Sequence, residues 1–197
     1  DTLINRVKRY LYERGEYIPE QEASFAPALC NRIDRNTGGM VIVAKNAESL
    51  GILNEAIKNR ELSKFYLCLV KGVPSPREAT LTHYHMKNEA ENKAIVLDKP
   101  RPGARTMVTH YRVLQSNGRF SLLEVELETG RTHQIRAQMA HIGCPLVGDG
   151  KYSVNAADRK KGFSYQALYS YKLRFDFREE HSLSYLKGKT FQVEDVW

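Results

Sequence analysis

Leu29-Cys30-Asn31-Arg32-Ile33-Asp34-Arg35-Asn36-Thr37-Gly38-Gly39 runs directly into Met40-Val41-Ile42-Val43-Ala44-Lys45. The second half is an apolar, β-branched run of strand length, and it predicts a strand over 40–44. The first half sets one carboxylate, Asp34, between two guanidiniums, Arg32 and Arg35, ahead of a Gly-Gly pair. Thr37, Gly38 and Gly39 permit a sharp turn and a close approach of backbone to a ligand. A carboxylate beside Arg is favoured in its charged form. Placed on a loop feeding a strand, such a carboxylate is a candidate nucleophile. The plainer reading of the same residues is a turn with a surface ion pair. The stretch alone leaves both open.

The rest of the chain limits the choice. Its 197 residues are enough for one large domain and a sizeable core. With 42% apolar and 27% charged residues it has the make-up of an ordinary soluble globular protein. No apolar run approaches the roughly 20 residues that span a bilayer. No secretory signal opens the sequence, and a cytoplasmic protein is expected. Cys30, Cys68 and Cys144 form no CxxC pair and no zinc spacing, so each reads as a small buried thiol in a reducing compartment. Thirty basic against 23 acidic side chains give a net charge of +7, which points first to a polyanionic partner, nucleic acid above all. Charge does not separate an RNA-modifying enzyme from a passive binding module.

Along the chain, Leu3, Val7, Tyr10 and Leu11 recur at helical spacing behind Asp1 or Thr2 as a cap. Gly15 and Pro19 end that helix near Arg14. Residues 20–29 read as a loop. Asn46 caps a helix to about Asn59 with Leu50, Leu53 and Ile57 as its stripe. Lys64-Phe65-Tyr66-Leu67-Cys68-Leu69-Val70-Lys71-Gly72 reads as a strand buried on both faces, in which Tyr66 is by default a core aromatic.

Residues 74–105 are polar and proline-bearing, and read for the most part as a solvated, partly mobile insertion. Arg101, Arg105, Lys87, Lys93 and Lys99 are alternatives for an RNA-facing rim. His83 and His85 point the same way on a strand, but no third metal ligand is evident.

Residues 106–115 and 120–128 form two strands around the Ser116-Asn117-Gly118 turn. Leu123, Val125 and Leu127 alternate with Glu124, Glu126 and Glu128, the pattern of a half-buried antiparallel strand. After Thr129-Gly130-Arg131-Thr132-His133-Gln134-Ile135-Arg136, a helix follows with Ile135, Met139 and Ile142 as its stripe and Gly143 just past its end. Cations crowd its N-terminus against the dipole, so an anion or a function must compensate. Residues 155–162 form a basic loop, 166–177 a strand, and 190–193 a last short strand. Strands and helices mix without strict alternation, which argues for an α+β domain on a mixed, largely antiparallel sheet.

Three of these stretches occur together in one known family. Arg32-Ile33-Asp34-Arg35-Asn36-Thr37-Gly38-Gly39 resembles the catalytic motif of pseudouridine synthases of the ribosomal large-subunit (RluA) type, with Asn31 where His is usual and Gly38 where Ser is usual. Lys64-x-Tyr66 followed by Val70-x-Gly72 resembles the second motif. Thr129 to Arg136, continued by Pro145, Gly148, Asp149 and Tyr152, resembles the third. Leu168, Leu173 and Phe175 match a last pattern, with Tyr169 in place of His.

The resemblance implies a pseudouridine synthase catalytic fold over residues 1–197 with flanking helices and a central cleft. A preceding strand and an S4-type RNA-binding domain are expected outside this sequence. The implied reaction is isomerisation of uridine to pseudouridine in RNA, with 23S ribosomal RNA first and transfer RNA second. By the same carry-over Asp34 is catalytic, Arg136 pairs with it, and Tyr66 stacks on the uracil. Arg32, Arg35, Lys64, Arg131 and His133 contact RNA around a flipped-out uridine. The reaction is redox-neutral and transfers no group, so neither cofactor nor metal is expected, and a monomer suffices. Two other classes stay open at this point. One is a non-catalytic RNA-binding module. The other is a carboxylate hydrolase, which would want a second positioned acid.

Overall fold

Turn chemistry and two-residue alternation build most of the chain. The computed structural model describes residues 2–20 and 25–196. Its elements begin with α1 (Leu3–Glu13), β1 (Ala28–Leu29), β2 (Gly38–Gly39), β3 (Val43–Ala44) and α2 (Ala47–Lys58). Five strands follow: β4 (Leu62–Lys71), β5 (Glu78–Asn88), β6 (Lys93–Leu97), β7 (Arg105–Ser116) and β8 (Phe120–Leu127). The chain closes with α3 (Gln134–His141), α4 (Ala156–Arg159), β9 (Leu168–Phe175) and β10 (Thr190–Gln192). By contacts it divides into two units. The first holds Asp1–Ile33, Met40–Leu62 and Arg174–Thr190; the second holds Asp34–Gly39, Ser63–Leu173 and Phe191–Trp197.

In the first unit, the Thr2 hydroxyl accepts the Asn5 N–H at 3.4 Å and caps α1; Asp1, the other candidate cap, lies outside the described residues. The helix stops at Arg14 and Gly15 turns away at φ +67°. Asn46 caps α2 by accepting the Ser49 N–H at 2.8 Å, and the helix buries Leu53 and Ala56. The strand expected over 40–44 is only Val43–Ala44, antiparallel to Ala28–Leu29. Here the Ile42 N–H goes to the Asn31 side chain at 2.8 Å, so a side chain takes the place of a strand partner. The loop expected over 20–29 therefore ends in a strand, and residues 21–24 lie outside the described residues.

The second unit is organised on a sheet in the order β10-β9-β4-β8-β7-β5-β6, with β2 pairing β9. The pairs β4/β8, β8/β7, β7/β5 and β5/β6 are antiparallel, while β2 runs parallel to β9. The alternation of 120–128 holds: Ser121, Leu123 and Val125 are buried and the glutamates face away. The Asn117 side chain accepts the N–H groups of Arg119 and Phe120 and closes the β7–β8 hairpin.

Residues 74–105 are not a mobile insertion. They form the β5–β6 hairpin, which adds two strands to the sheet. The alternation was hidden because two of the inward positions on β5 are His83 and His85, which score as polar. Residues 155–162 hold one helical turn, α4, in which Asp158 is buried beneath Lys71 at 2.8 Å. Cys68 and Cys144 are buried thiols as expected; Cys30 is half-buried.

The largest departure from sequence pattern is α3. An amphipathic stripe was expected, yet every residue from Gln134 to Met139 is buried. Such a helix must satisfy its polar side chains internally. Gln134 does so with four hydrogen bonds. It accepts from the Thr129 hydroxyl at 2.8 Å and the Arg131 N–H at 2.9 Å. It donates to the Val108 carbonyl at 3.0 Å and the Thr109 hydroxyl at 2.8 Å. The loop ahead of α3 is thereby tied to β7.

Candidate active site

The turn at Asp34 is fixed by one main-chain bond and by a buried glutamine. The Thr37 N–H donates to the Asp34 carbonyl at 3.0 Å, and Asn36 takes the left-handed conformation at φ 66°. Gln166 donates to the Arg35 carbonyl at 2.7 Å and to the Thr37 hydroxyl at 3.2 Å. Gly38 and Gly39 then lie against Tyr169 and Ser170 of β9. Gly39 sits at φ +113°, and a Cβ there would fall 2.2 Å from the Ser170 carbonyl oxygen. Only glycine fits that approach.

Arg136 comes to the same place from α3. Its Nη1 lies 3.4 Å from Asp34 Oδ2. The arginine is itself gripped on its other side by Asp149, with Nε to Oδ2 at 2.7 Å and Nη2 to Oδ1 at 2.9 Å. Asp149 Oδ1 also accepts the N–H groups of Lys151 at 2.9 Å and Tyr152 at 3.3 Å. This is the two-pronged pairing that suits a planar guanidinium, and it fixes the direction of Nη1.

Burial disfavours both charges of the pair. The hydrogen bonds and charge between them override it, holding Asp149 below the usual carboxylate range and Arg136 above its ordinary value. Tyr152 completes the shell. Its ring lies 5.4 Å from the guanidinium carbon, within cation–π range. Its hydroxyl accepts the Ala94 N–H at 2.8 Å and shares a hydrogen bond with His133 Nδ1 at 2.9 Å.

Tyr66 stands on β4 opposite Val125 and is buried. Burial pushes its pKa up to about 12; the Ser170 hydroxyl beside it works the other way, and the charge of Asp34 adds to the rise. Tyr66 is thus a neutral phenol at physiological pH. Two residues earlier, burial pulls the Lys64 ammonium down; a Cβ on Gly130 would lie 3.9 Å from its Nζ.

The second unit therefore brings Asp34, Arg136, His133 and Tyr66 into one electrostatic cluster, since the charge of Asp34 acts on each of the other three. His133 stands in the left-handed conformation at φ 53° immediately before α3 and makes no cap. Burial pushes its pKa below the ordinary value, against the pull of Asp34. Other expected contacts are placed differently. Arg131 turns to the Thr106 carbonyl at 3.1 Å, Arg35 is exposed on the Asp34 turn, and Arg32 is exposed in the first unit. The arginine that reaches Asp34 in this unit is Arg136, 102 residues away, and not the adjacent Arg35.

Sequence reasoning assigned no role to Asp149, Tyr152, Gln134 or Gln166. The first two stood in the quoted Gly148-Asp149-x-x-Tyr152 pattern; that signal was present. Gln166 carried none.

Three comparisons bear on this arrangement. A family model described as RNA pseudouridylate synthase matches residues 5–141. A Mycoplasma genitalium protein named as an uncharacterized RNA pseudouridine synthase is 38% identical over 180 residues, covering 88% of this chain and 55% of its own length. A Borreliella burgdorferi protein named ribosomal large subunit pseudouridine synthase D is 30% identical over 176 residues, covering 89% of this chain and 52% of its own length. The chain spans about half the length of the curated relatives it matches. Among solved structures, human RNA pseudouridylate synthase domain containing 4 aligns with a TM-score of 0.73 at 20% identity, over 98% of this chain and 79% of that one. That likeness is one of fold.

Proposed function

The chain belongs to the RNA pseudouridine synthase family of the ribosomal large-subunit (RluA) type, and from that premise we propose that it isomerises specific uridines in RNA to pseudouridine. The observation that carries this reading is the contact of Asp34 with an arginine that Asp149 holds from behind. A bidentate Asp149 leaves Arg136 one N–H edge, and that edge meets one Asp34 oxygen, Oδ2. Oδ1 stays outside the pair and is the atom offered to substrate.

In the proposed reaction the target uridine leaves the helical stack, because C1′ and C5 are out of reach within it. Asp34 starts the reaction at its sugar. The N-glycosidic bond breaks, the uracil turns, C5 bonds to C1′ and the C5 proton departs. Nothing is oxidised or transferred to a second molecule. Tyr66, a neutral phenol, packs on the base and offers a hydrogen-bond donor. Arg35, Lys64, Arg131 and His133 supply RNA contacts around it, and Arg32 is a further RNA contact. Large-subunit ribosomal RNA is the proposed substrate, supported by the name of the Borreliella relative. The proposed setting is the cytoplasm, with the chain acting as a monomer. No helix among the described residues is long and apolar enough to cross a membrane.

Tritium release from RNA labelled at uridine C5 tests this directly. Release from 23S ribosomal RNA that is lost in Asp34→Asn supports the proposal. Release that Asp34→Asn leaves intact, or no release from any RNA by a folded chain, overturns it. Preference for transfer RNA would keep the chemistry and replace the substrate.

A further inference from the structure

At the far end of α3 three side chains converge that the isomerisation does not use. His83 comes from β5, Asp98 from the segment just after β6, and His141 is the last residue of α3. His141 Nε2 lies 2.7 Å from Asp98 Oδ1, and His83 Nε2 lies 3.9 Å from the same oxygen. The three donor atoms all fall within 4.8 Å of one another. The two imidazoles meet edge to face with centroids 5.0 Å apart. In sequence, His83 has no third ligand near it; the β5–β6 hairpin and the packing of α3 against β6 supply two.

We propose that His83, Asp98 and His141 form a site for one divalent ion of the zinc class. Two imidazole nitrogens and one carboxylate oxygen are a donor set that zinc, cobalt and nickel accept. An ion at 2.0–2.2 Å from each donor needs them about 3.3 Å apart, which asks the two exposed side chains to move by up to about 1.5 Å. Asp98 is 74% and His141 32% exposed at the side chain, so both have room to move and solvent completes a four-coordinate shell. His83 is the anchored ligand, with its side chain 13% exposed.

The shell behind His83 sets a condition. Gln138, itself fully buried, donates from Nε2 to His83 Nδ1 at 3.0 Å and accepts the Thr109 hydroxyl at 2.6 Å. A neutral His83 so held carries its proton on Nε2, facing Asp98. Seating the ion moves that proton to Nδ1, and the Gln138 amide turns so that its oxygen accepts it. The amide turn gives up the bond from Nε2 to the Leu81 carbonyl and the acceptor of the Thr109 hydroxyl, and in exchange it supplies the acceptor that metal-bound imidazoles have on their other nitrogen.

The test is titration of the metal-free, untagged chain with Zn²⁺ by calorimetry and with Co²⁺ by visible absorption. One ion per chain is expected, with cobalt bands of tetrahedral coordination. Asp98→Asn and His141→Gln, both at exposed positions, should each weaken binding about tenfold or more. His110→Gln, at a separate His–Glu pair, should leave it unchanged. The absence of saturable binding overturns the site. So does binding that Asp98→Asn and His141→Gln leave intact, because the ion then sits elsewhere. If His83→Gln fails to fold, the two exposed variants still decide.

Discussion

α3 carries a polar cluster at each end, and the two ends are built by opposite rules. Near its start, Arg136 and Asp149 are both buried, and every polar group of the pair has a partner. Near its finish, His141 and Asp98 meet at the surface, with one imidazole behind them. The difference follows from solvation. A charge removed from water must be fully paired or it destabilises the fold by several kcal/mol. A surface group escapes that demand and can keep a coordination position spare. The first cluster is therefore rigid and aims something; the second is loose and can receive something.

The rigid end should break hardest. Asp34→Asn is expected to abolish isomerisation while leaving RNA affinity within a few-fold, because binding is spread over many cations. Tritium release and a binding isotherm on one preparation check this, and turnover by a clean variant would remove Asp34 from the chemistry.

Asp149→Ala leaves the Arg136 guanidinium buried without its main counter-charge and should cost about 3–5 kcal/mol of folding stability. Denaturant unfolding measures it. Arg136→Lys should retain only part of the single-turnover rate at saturating RNA, because an ammonium cannot grip Asp149 with two parallel bonds and still face Asp34. A rate equal to wild type would make Arg136 a structural ion-pair partner and nothing more.

The exposed arginines give a graded effect. RNA affinity should fall with salt, each phosphate contact adding roughly 0.7–0.9 to the log–log slope. Arg35→Ala should reduce that slope by about one contact. A flat affinity between low and moderate salt would contradict the RNA reading.

The smallest effect sharpens the contrast through pH. His133 near the start of α3 and His83 near its finish are both pushed down by burial, below an ordinary value of 6.5. Between the folded value and 6.5 the unfolded chain holds more protons, so stability is full above 6.5 and is lost as pH falls through that window. His133→Gln should flatten this slope more than His83→Gln if the first cluster is the less tolerant of an added charge. Equal flattening would erase the distinction between the two ends. Thermal melts from pH 7 to pH 5 in metal-free buffer read it.

Periodicity made the core of the fold legible. The Leu123–Val125 alternation, the Asn117 turn and the Asn46 cap are local signals, and local physics decides them. The β5–β6 hairpin was not legible because two inward positions on β5 are histidines, whose role depends on partners from β6 and α3. The buried α3 was misread as amphipathic for a related reason: Gln134, Arg136 and Gln138 are satisfied by residues far away in sequence, and periodicity reads them as solvent-facing. In the site, residue types marked Asp34 and Arg136, and motif resemblance gave their pairing. Neither gave Asp149 as the residue that aims the arginine, because a carboxylate's partner is a matter of packing and not of composition.

Gly39 carries a consequence for how this sequence can vary. Its lack of a side chain is what lets the chain lie directly on the Ser170 backbone, and that contact ends the short segment holding Asp34. A mutational library across this turn should therefore be lopsided. Position 35, whose side chain is exposed, should accept many residues, whereas position 36, in the left-handed conformation, should favour asparagine, aspartate and glycine. Position 38, where a Cβ would meet the Tyr169 ring rather than backbone, should accept few. Position 39 should return glycine alone, even under a selection that reads only folded protein. The freedom of the Asp34 turn to drift is then set by a residue that has no side chain at all.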